Sequence, residues 1–293
     1  MNEIQTLSDA MRYVRTELSP QYPKGEIEGF IRIICREVLG YESVDILLHK
    51  DSALSDYLFA KFVKVVEELK KNKPIQYIFG NAYFHGHEFQ VNEHTLIPRP
   101  ETEELVDMIV DQNPQSDLHV LDIGTGSGCI AISLALDLKF ADVEAIDISE
   151  GAIAIARLNS AVNKCKVRFT HADILKLKPA AKTYDIIVSN PPYIADSERQ
   201  AMDANVLDYE PHTALFVPDA DPLLFYRAIA EYAVVALKPG GRLYFEINSR
   251  FPDEMREWLS SLHFEDIELY RDMQGLYRFA VAKKNNADET ANL

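Results

Sequence analysis

Cysteine is scarce in this chain of 293 residues, which contains only Cys35, Cys129 and Cys165. The three cysteines are far apart and form no C-x-x-C pair. A disulfide framework or a structural zinc site needs cysteines that are more numerous or more closely spaced. The sequence therefore predicts free thiols in a reducing compartment and no metal site.

Long apolar runs are also missing. No stretch approaches the roughly 20 apolar residues that a membrane-spanning helix requires. The chain begins Met1-Asn2-Glu3-Ile4-Gln5, without the basic and apolar regions of a secretory signal. We therefore expect no membrane partner and a cytoplasmic location.

Basic residues are outnumbered, because 30 Lys and Arg stand against 46 Asp and Glu, for a net charge of -16 at pH 7. A field of this sign repels the phosphate backbone, on which non-specific affinity for nucleic acid depends. We therefore expect no direct nucleic-acid substrate. A local basic patch that contacts nucleic acid and a basic partner molecule remain alternatives.

The length and composition favour two globular domains. Hydrophobic residues make up 47% of the chain and charged residues 26%, which is typical of sequences that bury a core. The chain is longer than most single cores. The predicted parts are a helical domain at residues 1–72, a linker with a β-hairpin at 73–97, an α/β domain at 98–284 and a disordered tail at 285–293.

The first domain is predicted to be a small helical bundle, because apolar stripes at helical spacing occur three times in it. The stripes consist of Leu7, Met11, Val14 and Leu18; Ile27, Phe30, Ile31, Ile34 and Val38; and Leu58, Phe62, Val65 and Leu69.

Strand and helix patterns alternate from residue 119 onward. Such alternation predicts a mostly parallel sheet covered on both faces, with ligands bound at the carboxyl ends of its strands. The last two strands are joined by a short turn and are expected to be antiparallel. Strands are predicted at residues 119–123, 143–147, 167–169, 184–188, 242–247, 267–270 and 277–282, helices at 127–136, 151–161 and 223–237, and a turn at 238–241.

A glycine-rich loop joins the first of these strands to a helix. Its glycines permit a tight turn and the close approach of a ligand to the backbone. Asp147 ends the next strand, where a carboxylate is suited to accept hydrogen bonds from both hydroxyls of a ribose. The predicted cofactor-binding residues are Asp122, Gly124, Thr125, Gly126, Ser127, Gly128 and Asp147.

The spacing of the loop distinguishes between cofactors. A dinucleotide fingerprint is G-x-G-x-x-G, whereas here the third glycine comes one residue early and Cys129 holds its place. The carboxylate of Asp122 disfavours phosphate and favours the sulfonium and ammonium of S-adenosylmethionine, with S-adenosylhomocysteine as product. Further along, Asp173 is expected to accept from the adenine amino group and Ile174 to pack on the ring.

Asn190-Pro191-Pro192-Tyr193 follows the fourth predicted strand, at the same edge of the sheet as the glycine loop. The two prolines fix the backbone and remove two donors, so the Pro191 carbonyl stays available as an acceptor. A planar amino group can donate to this carbonyl and to the Asn190 side-chain oxygen, with its lone pair directed at a methyl donor. Tyr193 offers an aromatic wall. These four residues are the predicted catalytic set, and Asn190 is also predicted to bind the cofactor.

Several segments resemble the HemK/PrmC-type methyltransferases, which modify the glutamine of the Gly-Gly-Gln motif in peptide chain release factors. The resemblance covers nearly the whole chain. Beyond the glycine loop and Asn-Pro-Pro-Tyr, it rests on Pro74-Ile75-Gln76-Tyr77-Ile78-Phe79-Gly80, on Leu96-Ile97-Pro98-Arg99-Pro100-Glu101-Thr102-Glu103 and on Tyr209-Glu210-Pro211-His212-Thr213-Ala214-Leu215-Phe216. His212 departs from an arginine that is common in the family, and Pro222 from a glycine.

The resemblance implies a class I S-adenosylmethionine-dependent methyltransferase, Rossmann-like, with a seven-stranded sheet. It further implies that Gly124-Thr125-Gly126-Ser127-Gly128 and Asp147 bind the cofactor, that residues 190–193 bind the glutamine, and that release factors are the protein partner. Because the helical domain shows no chemistry of its own, it is expected to recognise that partner.

Alternative functions remain at this point. A glutamine methyltransferase acting on a ribosomal protein shares every catalytic element, although the Pro100-Glu101-Thr102 segment favours the release-factor branch. A nucleic-acid amino-methyltransferase shares Asn-Pro-Pro-Tyr but is disfavoured by the acidic charge. A non-catalytic binding module is disfavoured by the intact loop, and an NAD oxidoreductase by the loop spacing.

Overall fold

The computed structural model of the protein describes residues 5–286. Most of the predicted disordered tail, residues 287–293, lies outside the described residues. The contacts between residues divide the chain into two compact units, one reaching to Gly80 and including Asp203–Tyr209, the other comprising Asn81–Met202 and the chain from Glu210 onward. Within the described residues, no helix is both long and apolar enough to cross a membrane.

The elements are named in chain order. The helices are α1 (Leu7–Leu18), α2 (Lys24–Leu39), α3 (Ser43–Leu48), α4 (Asp56–Leu69), α5 (Ile75–Phe79), α6 (Pro100–Gln112), α7 (Cys129–Asp137), α8 (Glu150–Val162), α9 (Ala204–Leu207), α10 (Leu224–Ala236) and α11 (Pro252–Ser261). The strands are β1 (Asn81–Phe84), β2 (His87–Gln90), β3 (His119–Ile123), β4 (Asp142–Asp147), β5 (Val167–His171), β6 (Tyr184–Ser189), β7 (Ile194–Ala195), β8 (Phe216–Val217), β9 (Leu237–Glu246), β10 (Phe264–Arg271) and β11 (Tyr277–Lys284).

The first unit is a helical bundle built on the predicted apolar stripes. Helix α1 begins with a capping box, in which Thr6 and Asp9 satisfy each other's backbone N–H groups. Helix α2 ends at Gly40, whose φ of 71° is the left-handed conformation that glycine adopts readily. Phe62 and Leu18 are fully buried in the shared core.

The hairpin β1–β2 forms as predicted, with Ala82 paired to Phe89 across antiparallel strands. The hairpin was expected to lie in a linker between the domains, whereas the structure places it in the second unit. Phe84 and Phe89 are buried in the core beside the central sheet. The side chain of Asn159 in α8 also bonds to both the N–H and the C=O of Gln90, at 2.7 and 2.9 Å. Packing and hydrogen bonds thus hold the hairpin on the second unit.

The second unit contains the predicted seven-stranded sheet, in the order β10-β11-β9-β6-β3-β4-β5. Strand β11 is antiparallel to β9 and β10, and the pairs that join β9, β6, β3, β4 and β5 are parallel. The mostly parallel sheet and the antiparallel end are therefore confirmed.

Two predicted boundaries differ from the structure for backbone reasons. The helix expected from Ser127 begins only at Cys129, because Gly128 before it has a φ of 84°, outside the helical region. The turn expected at residues 238–241 is part of β9, where Gly240 at a φ of 76° accompanies a register shift against β6. An irregular strand start can carry turn residues without breaking the pairing.

The topology brings three strand ends together. Strand β3 lies between β4 and β6, with Ile123 paired to Ile146 on one side and to Ser189 on the other. The glycine loop, Asp147 and Asn190 follow these parallel strands directly. They therefore meet at one edge of the sheet, as expected for an α/β ligand site.

Candidate active site

A cavity of about 330 Å³ lies at this edge of the sheet, within the second unit. Its volume falls in the range of small-molecule sites, about 300–1,000 Å³. The predicted site residues that line it are Gly124, Gly126, Asp147, Asp173, Ile174, Asn190, Pro191 and Pro192. Lining residues that the sequence analysis did not assign include His94, Leu96, Ile148, Leu175, Thr213, Phe216 and Phe225.

The glycine loop is held by backbone hydrogen bonds. The N–H groups of Gly124 and Thr125 both donate to the Ile146 carbonyl, at 2.9 and 3.0 Å. Gly124 and Gly126 have φ values of 77° and 55°, and the space where a Cβ would stand is open at both positions. The loop therefore presents bare backbone to the cavity, which a ligand can approach closely.

Asp147 lines the cavity. One carboxylate oxygen accepts from the Gly126 N–H and the other from the Ser149 N–H, both at 2.8 Å. Burial raises the pKa of Asp147, and these two hydrogen bonds oppose that shift. Each carboxylate oxygen has a further lone pair, so both can also accept from ligand hydroxyls.

Asp173 and Ile174 lie beside each other on the cavity, as the sequence suggested. The hydrogen bond from Lys176, at 2.8 Å, is the main reason that the pKa of Asp173 lies below its usual value. The neighbouring Ile148 and Leu175 add apolar surface. This part of the cavity therefore combines a carboxylate with a wall suited to a flat aromatic ring.

Asp122 differs from its predicted place, because it is fully buried and does not line the cavity. One of its oxygens accepts from the Thr125 hydroxyl at 2.6 Å. Burial raises the pKa of Asp122 to about 7. Asp122 and Thr125 thus brace the loop from beneath.

We expect Asp122→Asn to remove a pH dependence of folding stability. The folded protein retains the Asp122 proton up to about pH 7, whereas the unfolded chain releases it near pH 4. Its contribution to the free energy of unfolding is therefore present at low pH and lost as the pH rises through 7. Between pH 5 and 8, urea unfolding should show a loss on the order of 2 kcal/mol in wild type relative to the variant. If the free energy of unfolding varied with pH in the same way in wild type and Asp122→Asn, the raised pKa of Asp122 would be contradicted.

Ser127 and Gly128 also serve the scaffold and do not line the cavity. The Ser127 carbonyl accepts from the Asn159 side chain at 2.8 Å. A Cβ on Gly128 would stand 3.0 Å from a methyl of Ile132 and 3.1 Å from the Cβ of Ala156. The third glycine is thus needed for the close packing of α7 and α8.

Asn190 is fixed by a group that the sequence analysis missed. Its side-chain nitrogen donates to the Glu246 carboxylate at 2.9 Å and to the Thr102 hydroxyl at 3.3 Å. Glu246 ends β9 and is 2% exposed. With its nitrogen engaged in this way, the Asn190 amide offers its oxygen to a ligand. The signal for Glu246 was an acidic residue inside the apolar run at residues 243–247.

Tyr193 faces the same carboxylate and does not line the cavity. Its hydroxyl donates to Glu246 at 3.2 Å, and burial raises its pKa. Tyr193 therefore supports Asn190 from behind, where an aromatic wall of the cavity had been expected. Phe216 and Phe225 place phenyl rings on the cavity itself.

The segment before α6 is tied to the one before β8 by Glu210, whose side chain is 1% exposed. The carboxylate pairs with Arg99 and accepts from the Ile97 N–H at 3.1 Å. Leu96 and Thr213, which lie close to these residues in sequence, line the cavity. Two of the segments that carry the family resemblance thus form one wall.

Comparison with known proteins gives two matching family models, PrmC N-terminal domain at residues 9–80 and Methyltransferase small domain at residues 101–208. A release factor glutamine methyltransferase from Bacteroides thetaiotaomicron is 46% identical over 273 residues, which cover 93% of this chain and 98% of that protein. A protein of the same name from Flavobacterium psychrophilum is 45% identical over 88% of this chain and 92% of its own length.

Among solved structures, a methyltransferase from Pyrococcus furiosus superimposes with a TM-score of 0.51 at 19% identity. The match covers 75% of this chain and 97% of that one, and it supports the fold. The fold is that of a class I S-adenosylmethionine-dependent methyltransferase, and the chain belongs to the family of release factor glutamine methyltransferases of the HemK/PrmC type.

Proposed function

We propose that this protein transfers a methyl group from S-adenosylmethionine to the side-chain amide nitrogen, N5, of the glutamine in the Gly-Gly-Gln motif of peptide chain release factors. The observation that carries the proposal is the fixed orientation of Asn190, whose nitrogen is engaged by Glu246 and Thr102. Its oxygen is then an acceptor for a planar amide. The substrate class follows the names of the relatives.

The residues of the cavity fit S-adenosylmethionine, which supplies an electrophilic methyl group when bound. Asp147 would accept from the ribose hydroxyls, since each of its oxygens has a lone pair beyond the bond to Gly126 or Ser149. Asp173 would accept from the adenine amino group while Ile174 packs on the ring. The open backbone at Gly126 allows close approach.

Asn190 and Pro191 would activate the glutamine amide, whose lone pair is delocalised and weakly nucleophilic. The amide N–H groups donate to the Asn190 oxygen and the Pro191 carbonyl. The nitrogen would gain positive charge as its bond to the methyl carbon formed and the bond from that carbon to sulfur broke, with S-adenosylhomocysteine as the leaving group, so both acceptors would stabilise the transition state more than the ground state. Holding the two reacting groups in line lowers the barrier further. The product nitrogen then loses its proton without a strong base.

The substrate is tested by offering labelled S-adenosylmethionine with a release factor, a ribosomal protein or DNA in separate reactions. We expect label on the release factor. Preferential labelling of the ribosomal protein would support the alternative glutamine methyltransferase, and labelling of DNA would support the nucleic-acid enzyme. Either outcome would overturn the proposed substrate.

We further propose that the helical domain, residues 1–72, recognises the release factor. Helix α3 has no buried residue, yet it carries Val44, Leu47 and Leu48, which are 65%, 73% and 72% exposed. Tyr57 of α4 is 70% exposed. A group of exposed apolar residues is typical of a protein interaction site.

Replacing Leu47 and Leu48 together by serine should raise KM for an intact release factor about tenfold or more. The reason is that the two leucine side chains would no longer be buried against the release factor in the complex. The turnover number and the cofactor affinity should stay unchanged. Phe140→Ser is the matched control, since Phe140 is 74% exposed but precedes β4, at the amino end of the sheet. Equal KM values for wild type and the double variant would show that this surface does not recognise the release factor.

The cytoplasmic location stays a prediction.

A further inference from the structure

Glu246 is an unusual residue for the end of a buried strand. Its neighbours Phe245 and Ile247 are core residues, and Glu246 itself is 2% exposed. Removing a carboxylate from water is costly unless its oxygens find hydrogen-bond donors. Its side-chain donors within residues 5–286 are neutral groups, and none of them is a cation.

The donors come from separate segments. Thr102 in the first turn of α6 donates its hydroxyl at 2.7 Å, and Asn190 donates its amide nitrogen at 2.9 Å to the same oxygen. Tyr193 donates to the other oxygen at 3.2 Å. One carboxylate thus joins α6 and β9 to both ends of Asn-Pro-Pro-Tyr.

We propose that Glu246 is a positioning residue for methyl transfer, whose ionised carboxylate orients the Asn190 amide and polarises it toward the substrate nitrogen. This inference rests on the function proposed above. An anion behind the amide nitrogen strengthens the partial negative charge on the amide oxygen. That oxygen faces the charge which develops on the substrate nitrogen, in a site where low polarity strengthens the effect.

A purely structural role makes a different prediction. A neutral glutamine has nearly the same size and can still accept from Asn190 and Thr102 through its oxygen. If hydrogen bonding alone mattered, Glu246→Gln would keep full activity. If the charge matters, the variant should fold and bind cofactor normally but react slowly.

The first test is single-turnover methylation of a release factor by wild type and Glu246→Gln at saturating cofactor and substrate. We expect the rate to fall about tenfold or more in the variant, with unchanged cofactor affinity and no loss of thermal stability. A wild-type rate in the variant would overturn the role of Glu246 while leaving the proposed function intact. Absence of methylation by wild type would instead contradict the proposed function.

The pH profile supplies a readout that a structural role would not move. Burial raises the pKa of Glu246. The titratable and polar groups around its carboxylate are Glu101 and Thr102 of α6, Tyr193, Arg278 of β11 and Cys129 of α7. Tyr226 of α10 bonds to the backbone carbonyl of Glu246. Protonation removes the charge, so the wild-type rate should decline toward acid pH. Glu246→Gln should lack this decline. The same acid limb in both proteins would contradict the proposal.

Two variants of Thr102 test the role of the Glu246 carboxylate independently, in case Glu246→Gln does not fold. Thr102→Val removes a donor to the carboxylate and should slow single turnover, whereas Thr102→Ser retains the hydroxyl and should restore the rate. Tyr226→Phe is the control, because its hydroxyl donates at 3.1 Å to the Glu246 backbone carbonyl and leaves the carboxylate contacts in place. Equal rates for Thr102→Val and Thr102→Ser would overturn the proposed network.

Discussion

Asn190→Ala is expected to abolish measurable methyl transfer while cofactor affinity stays near wild type. The variant removes the acceptor that stabilises positive charge on the substrate nitrogen. Loss of one such preorganised group costs on the order of a hundredfold or more in kcat. Single-turnover methylation of a release factor, with calorimetric titration of S-adenosylmethionine on the same preparations, measures both quantities.

Asn190→Asp is the matched variant, and the structure predicts that it also reacts much more slowly than wild type. An oxygen in place of the Asn190 nitrogen would stand against the Glu246 carboxylate, since the two groups are 2.9 Å apart. Two carboxylates at such a distance repel each other, so one of them must take up a proton or move. We therefore expect a large loss of rate from Asp as well. Near-normal turnover by the alanine variant would refute the activating role of Asn190.

Asp147→Ala is expected to weaken S-adenosylmethionine binding by about 1.5–3 kcal/mol, or roughly 10- to 150-fold in Kd, because charge-assisted hydrogen bonds to the ribose are lost. The same change frees the Gly126 and Ser149 N–H groups, which loosens the loop. Calorimetry of the purified variant measures the affinity directly.

Asp173→Ala provides the comparison at the same cavity. Asp173 also pairs with the exposed Lys176, so part of its hydrogen-bonding capacity is already used, and its removal should cost less affinity than that of Asp147. Unchanged affinity of a folded Asp147→Ala variant would take Asp147 out of the cofactor site. Tighter binding of NADH than of S-adenosylmethionine by wild type would overturn the choice of cofactor.

The sequence was sufficient to predict the sheet and the place of the cavity, because both depend on local pattern. Alternating strands and helices determine a parallel sheet, and the residues after parallel strands lie at one edge. Asp147 and Asn190 therefore line one cavity even though they lie far apart in sequence. Their direct roles toward ligands stay predictions.

The roles of other residues depended on tertiary contacts that no local pattern reports. Asp122 and Gly128 belong to the same glycine-rich motif as Gly126. In the fold, however, Asp122 is buried away from the cavity, and Gly128 allows α7 to pack closely against α8. Glu246 and Thr102 meet Asn190 only because β9 pairs with β6 and α6 packs against β9. A motif indicates which residues gather at a site, whereas the packing decides which of them face the ligand.

The most direct test of the account is to locate the transferred methyl group. An intact release factor is incubated with the protein and isotopically labelled S-adenosylmethionine, digested and mapped by tandem mass spectrometry, with Asn190→Ala run in parallel. We expect one added methyl on the side-chain nitrogen of the Gly-Gly-Gln glutamine with wild type and none with the variant. Methylation at another residue, or equal labelling by both proteins, would contradict it.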